Sequence, residues 1–70
     1  MKVNDLLTTF DNLEDESIIN IYCRGSRTIQ QFNYKDLINN DEYNNLTVAL
    51  FELSKYKNIT TDINIYTYDK

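Results

Sequence analysis

Few groups in this 70-residue sequence could do chemistry. The densest set is acidic: Asp11, Glu14, Asp15 and Glu16 place four carboxylates within six positions. Such a cluster could hold a cation or meet the lysines and arginines of another protein. Calcium loops alternate their ligands and need a glycine at the sharp turn, and this segment has neither feature. It reads as a solvated loop between two elements, with a second reading as a contact for a basic partner. Cys23 is the only cysteine and histidine is absent. No intramolecular disulfide can form, and a zinc site, which wants four soft or borderline ligands, cannot be built from one thiol.

Residue counts exclude most familiar mechanisms. The commonest general base is missing, so neither a Ser-His nor a Cys-His pair can exist in the chain. One glycine cannot make a phosphate-cradling loop. No catalytic residue, metal or cofactor is expected, and the chain is expected to be non-enzymatic. The net charge of −4, from eleven acids and seven bases, argues against phosphate-backbone binding, which needs clustered Lys and Arg. It suits a solubilised surface or a basic partner.

The groups that remain must be positioned by a small fold. Val3, Leu6, Leu7 and Phe10 repeat as one helical face, so a helix is expected over residues 5–13 with Asn4 as its cap. Residues 17–24 alternate as a strand, with Ile19, Ile21 and Cys23 on the core face. Cys23 is expected to act there as a small buried hydrophobe; Arg24 beside it would lower a thiol pKa only if the side chain were exposed. Gly25, the sole glycine, is expected to supply the positive φ of a tight hairpin turn at residues 24–27. A strand over 28–32 follows, with Ile29 as its core residue. Asn33 is expected to cap a short helix, with Phe32 and Leu37 as a hydrophobic staple. Asp41 would cap a longer one over 42–57, striped by Tyr43, Leu46, Leu50 and Leu53 with Ala49 beside them. Residues 59–68 alternate most cleanly, with Ile59, Thr61, Ile63, Ile65 and Thr67 on one face.

The expected fold is therefore α+β: one domain over residues 1–70, in the order α-β-β-α-α-β. It is a two-layer sandwich whose three-stranded, mostly antiparallel sheet is covered on one face by helices, in strand order 2-1-3. Its uncovered face would carry Asn20, Tyr22 and Arg24, Gln30, and Asp62, Asn64, Tyr66 and Tyr68. Tyrosine and arginine are enriched at interface hot spots, although tyrosine is also a good strand former on solvated faces. Partner binding is accordingly assigned to Tyr22, Tyr66, Tyr68 and Asp62, and to the acidic loop Asp11, Glu14, Asp15 and Glu16.

No segment approaches the roughly 20 apolar residues of a membrane span. The first five residues lack the apolar stretch of a secretory signal, and a lone cysteine suits a reducing compartment, so a cytoplasmic setting is expected. Richness in Asn, Ile, Lys and Tyr suggests a low-GC bacterium or one of its phages. The opening Met1-Lys2-Val3-Asn4-Asp5-Leu6-Leu7, with the acidic balance, resembles small early proteins of Gram-positive phages and mobile elements. Within these it is similar to some anti-CRISPR inhibitors of type II RNA-guided nucleases. The resemblance implies acidic side chains that imitate nucleic-acid phosphates and block a basic groove on a host defence protein. Three functional readings follow: a protein-binding inhibitor, a homodimer or other homo-oligomer paired through its sheet, and a nucleic-acid-binding regulator using Arg24, Arg27, Lys55 and Lys57.

Overall fold

The computed structural model describes residues 1–10, 13–56 and 59–68, except for the side chains of 55–61. Its elements are α1 (Val3–Thr8), β1 (Ile18–Cys23), β2 (Thr28–Asn33), α2 (Tyr34–Leu37), α3 (Asp41–Asn44), β3 (Val48–Tyr56) and β4 (Ile59–Thr67). The α+β class and the helical cover on one face hold. The sheet, however, is mixed and has four strands, in the order β2-β1-β4-β3. β1 runs antiparallel to β2 and parallel to β4, while β3 and β4 form an antiparallel hairpin. The expected neighbourhood of the first and last strands is present. The extra strand takes up most of the segment expected to be a long helix.

That correction has a local cause. Thr67 pairs with Val48 and Tyr66 pairs with Leu50, so Ala49 is an extra residue that bulges β3. A bulge shifts the alternation by one position. Val48 therefore lies on the core face and Leu50 on the outer face, although both are even-numbered. Phe51 and Leu53 then fall on the core face opposite Ile65 and Ile63. Apolar residues on both parities imitate the wide apolar arc of a helix. Only residues 41–44 are helical, and Asn40, not Asp41, caps them by accepting from the Tyr43 N–H at 3.3 Å. Ala49, Leu50 and Leu53, expected in the core, are exposed.

The core joins Val3, Leu6 and Leu7 of α1, Leu37 of α2 and Leu46 to Ile19, Ile21, Cys23, Ile63 and Ile65 of the sheet. Cys23 is buried as a free thiol, and Thr67 is buried beside it on the neighbouring strand. The faces of Ile59 and Thr61 lie outside the described side chains, and Lys57 lies outside the described residues.

α1 starts earlier and ends sooner than expected. Lys2, not Asn4, is the N-cap residue, and its N–H donates to the Asp5 carboxylate at 3.3 Å. At the other end the Thr8 and Thr9 hydroxyls donate to the Asp5 and Leu6 carbonyls at 2.8 and 2.6 Å. Such back-bonding by β-branched residues competes with helix propagation. Asn33 does stand at the cap of α2, but its side chain makes no capping bond.

The β1–β2 turn closes as expected at residues 24–27, by a different residue. Arg27 has the positive φ, 57°, and Gly25 does not. The Arg27 N–H donates to the Cys23 carbonyl at 2.8 Å, which stitches the turn shut. Pairing Cys23 with Thr28 sets Tyr22 against Ile29 and Ile21 against Gln30. Opposed residues share a face. Ile29 is therefore on the outer face and 64% exposed rather than in the core, and Gln31 takes the outer-face place expected of Gln30.

Candidate functional site

The helices leave one face of the sheet uncovered, and its side chains form rungs across all four strands. One rung is polar: Gln31, Asn20, Asn64 and Glu52 are successive cross-strand partners. The Gln31 amide donates to the Asn20 Oδ1 at 3.1 Å, and the Asn20 amide donates to the Asn64 Oδ1 at 3.0 Å. The next rung is apolar and aromatic: Ile29, Tyr22, Tyr66 and Leu50. The Tyr22 and Tyr66 rings lie 5.7 Å apart with their planes tilted by 49°, within the usual range for attractive aromatic pairs. Both tyrosines are partly buried, whereas the flanking Ile29 and Leu50 are 64% and 54% exposed. A depression between the rungs is lined by Asn20, Tyr22, Ile29, Asn64, Ile65 and Tyr66.

Glu52 links the two rungs. The Tyr66 hydroxyl donates to its Oε1 at 3.0 Å. This hydrogen bond, together with the carboxylate's negative charge and slight desolvation, raises the Tyr66 phenol above its ordinary value. The raised value favours the neutral phenol in the folded chain. The associated stability is thus present throughout the neutral range and is lost only as the pH climbs past the ordinary tyrosine value, about 10, and through the folded one. Glu52→Ala removes both the acceptor and the charge, so Tyr66 should ionise at a lower pH. A titration of phenolate absorbance on the variant and the parent checks this; an unchanged Tyr66 midpoint contradicts the assigned bond.

The expected binding residues fall into separate groups. Tyr22 and Tyr66 are in ring contact, and Asp62 shares their face in the rung that follows Asn64, beside Ile18 and Ser54. Tyr68 lies past the end of β4; its N–H donates to the Thr47 carbonyl at 3.1 Å and its side chain is 58% exposed. Glu14, Asp15 and Glu16 lie just before β1 and are exposed, while Asp11 lies outside the described residues. This loop is held by the Ser17 N–H donating to the Glu14 carbonyl at 3.0 Å and the Lys35 N–H donating to the Asp15 carbonyl at 3.3 Å. Glu16 also pairs with Lys35 at 3.4 Å in an exposed ion pair. Along β1, Tyr22 is five residues beyond Ser17, roughly 17 Å from the end of the loop. Among the described residues, no three acidic or thiol side chains converge as a metal site would require.

Comparison with protein-family models, with curated proteins and with solved structures finds no match to this chain in any of the three.

Leu50, Glu52, Ile29 and Gln31 complete the outer face but were not among the expected binding residues. Leu50 and Glu52 fell in the segment expected to be helical. Ile29 and Gln31 follow from the hairpin register alone, so their place could have been read. Of the expected nucleic-acid-binding cations, the described ones lie apart. Arg24 and Arg27 occupy the turn after β1, whereas Lys55 lies near the end of β3 and Lys57 is outside the described residues. The parallel register of β1 and β4 puts Lys55, paired with Thr60, at the opposite end of the sheet from the turn after β1. Among the described residues, no helix is long and apolar enough to cross a membrane.

Proposed function

We propose that this chain is a non-enzymatic protein-binding module whose working surface is the outer face of the sheet. The observation that carries the reading is the outward-facing apolar and aromatic rung Ile29-Tyr22-Tyr66-Leu50, exposed at its two ends and running beside the carboxylates of Glu52 and Asp62 on a face that no described helix covers. Strand residues on a merely solvated face are expected to be polar. Here a continuous band of four large side chains is left at the surface, next to two acids. Tyrosine rings attract cations over their faces, and neighbouring carboxylates strengthen that attraction. The partner chemistry that fits is a protein surface presenting arginine or lysine amid apolar groups. The similarity of the chain's opening to phage inhibitors of RNA-guided nucleases makes a basic host defence protein the leading instance. The acidic loop serves as a second contact.

Capture from a low-GC bacterial lysate tests the reading when the chain is compared with its Tyr22→Ser/Tyr66→Ser variant. A specific protein should be recovered by the parent. The double variant, shown by circular dichroism to be folded, should lose at least ~100-fold in affinity, as expected when two central aromatic anchors are truncated. Equal recovery by both proteins would sink the reading.

A further inference from the structure

The sheet has two open edges, and they are not alike. β2 is six residues long, TIQQFN, and Ile29 is its one exposed large aliphatic residue. β3 is nine residues long, VALFELSKY. It exposes apolar side chains on both faces: Leu50 outside, and Phe51 and Leu53 on the core side at 41% and 37% exposure. The only charge between Val48 and Ser54 is Glu52, and the chain has no proline. Long apolar edges are ordinarily blunted by charge, proline or a covering segment. This one is protected in part: Ala49 bulges it, the Phe10 ring lies edge-on to Phe51 with centroids 6.0 Å apart, and its start is covered. The Val48 N–H donates to the Met1 carbonyl at 2.8 Å, the Val3 N–H donates to the Leu46 carbonyl at 2.9 Å, and Lys2 bridges Thr47 in antiparallel sense. Beyond Val48, among the described residues, β3 is paired with β4 alone.

We infer that β3 pairs antiparallel with the β3 of a second copy of this chain, continuing the four strands into an eight-stranded sheet across a two-fold axis at Leu53. The strand is self-complementary in this register. Leu53 meets Leu53 of the other copy, and Glu52 meets Ser54. An axis at Glu52 would set two carboxylates against each other, which is unfavourable for directly opposed residues. An axis at Phe51 would draw Ser54 of one copy onto Val48 of the other, whose N–H is already held by Met1. The pairing adds a neighbouring strand beside Leu50, Phe51 and Leu53 on both faces at once, which a ligand covering one face could not do. It leaves Ile29, Tyr22 and Tyr66 open in each copy and shares only Leu50 with the proposed protein-binding face, so the two readings fail separately. An edge of about eight residues is close to 26 Å long. At a sheet thickness of roughly 10 Å its contact area is about 500 Å² over both copies, well under the ~1,200 Å² that bounds weak interfaces, so the expected dissociation constant is high micromolar.

Sedimentation of the native chain from low to high micromolar concentration should show monomer giving way to dimer. Leu53→Lys, which opposes two cations on the axis, should raise the dissociation constant at least ~30-fold, since opposed like charges and a lost apolar contact act together. Leu53→Cys supplies a second reading that does not depend on that variant folding. Mild oxidation should crosslink it into a covalent dimer, because directly opposed strand residues bring their Cβ atoms within disulfide reach. Ile29→Cys on the other edge should stay monomeric, and buried Cys23 contributes nothing to either. A native chain that stays monomeric at every concentration, or Ile29→Cys crosslinking as fast as Leu53→Cys, overturns the inference.

Discussion

Replacing Ile65 by alanine is expected to bring the chain to the edge of unfolding at room temperature. Ile65 is fully buried in β4, between β1 and β3, and joins the core cluster with Ile21 and Ile63. Truncating a buried isoleucine costs about 2–5 kcal/mol, the transfer of the lost carbons plus the cavity left behind. Position 65 belongs at the upper end of that range, because neighbouring strands fix the backbone on both sides and limit its collapse. A 70-residue domain has a total stability of only about 3.5–10 kcal/mol. It has no disulfide to fall back on. Urea melts should show the midpoint fall by a third or more. The same truncation at Leu50, 54% exposed on the outer face, should cost under about 1 kcal/mol. Equal costs at the two positions would contradict the assignment of the faces.

The second large effect is expected at Asn44. This residue is buried, and its side-chain amide donates to the carbonyls of Leu37 and Ile38, at 3.4 and 3.2 Å, where α2 ends. One short helix is thereby tied to the next through groups that otherwise lack helical partners. Asn44→Asp keeps the shape but turns a donor into a negative charge facing two carbonyl oxygens. The expected cost at neutral pH is about 3 kcal/mol or more, against about 1–2 for Asn44→Ala, which only leaves acceptors unpaired. Burial and the facing carbonyls would raise the folded-state pKa of the new carboxyl above its unfolded value of about 3.9. The folded form is then favoured below that unfolded value, and the benefit disappears as the pH rises through the folded one. Melts at acid and neutral pH should show Asn44→Asp recovering relative to Asn44→Ala on acidification. A gap that does not change with pH would place the side chain elsewhere.

Much of the core was legible, because period-two alternation survives wherever a strand is regular. Ile19, Ile21 and Cys23, and likewise Ile63, Ile65 and Thr67, are buried on the face expected of them. The same rule was available for β2 and was overridden by hydropathy. A two- or four-residue turn around Gly25-Ser26 pairs Tyr22 with Ile29 in either case, so an outward Ile29 follows from an outward Tyr22. β3 was a harder case. Its bulge at Ala49 puts Val48 and Leu50 on opposite faces, and the resulting pattern fits a helical arc better than an alternating strand. What decides in favour of the strand is long-range pairing with β4, a tertiary gain that local periodicity cannot report. The turn misled for another reason. Gly25 was the economical candidate for a positive φ, yet the left-handed position falls at Arg27, where the loop closes onto Cys23. Half of the candidate face was therefore visible from sequence, namely Asn20, Tyr22, Asp62, Asn64 and Tyr66. The edge that supplies Leu50 and Glu52 was not.

The outer sheet face is expected to meet the protein partner, and hydroxyl-radical footprinting of the captured complex reads that contact residue by residue. Tyrosine, leucine and isoleucine side chains all report in such an experiment. Modification of Tyr22, Tyr66, Ile29 and Leu50 should fall several-fold on complex formation, while Tyr34 and Tyr43, packed against the core on the helical side, stay unchanged. Unaltered labelling of Tyr22 and Tyr66, with shielding instead at Leu13 beside the acidic loop, would contradict it.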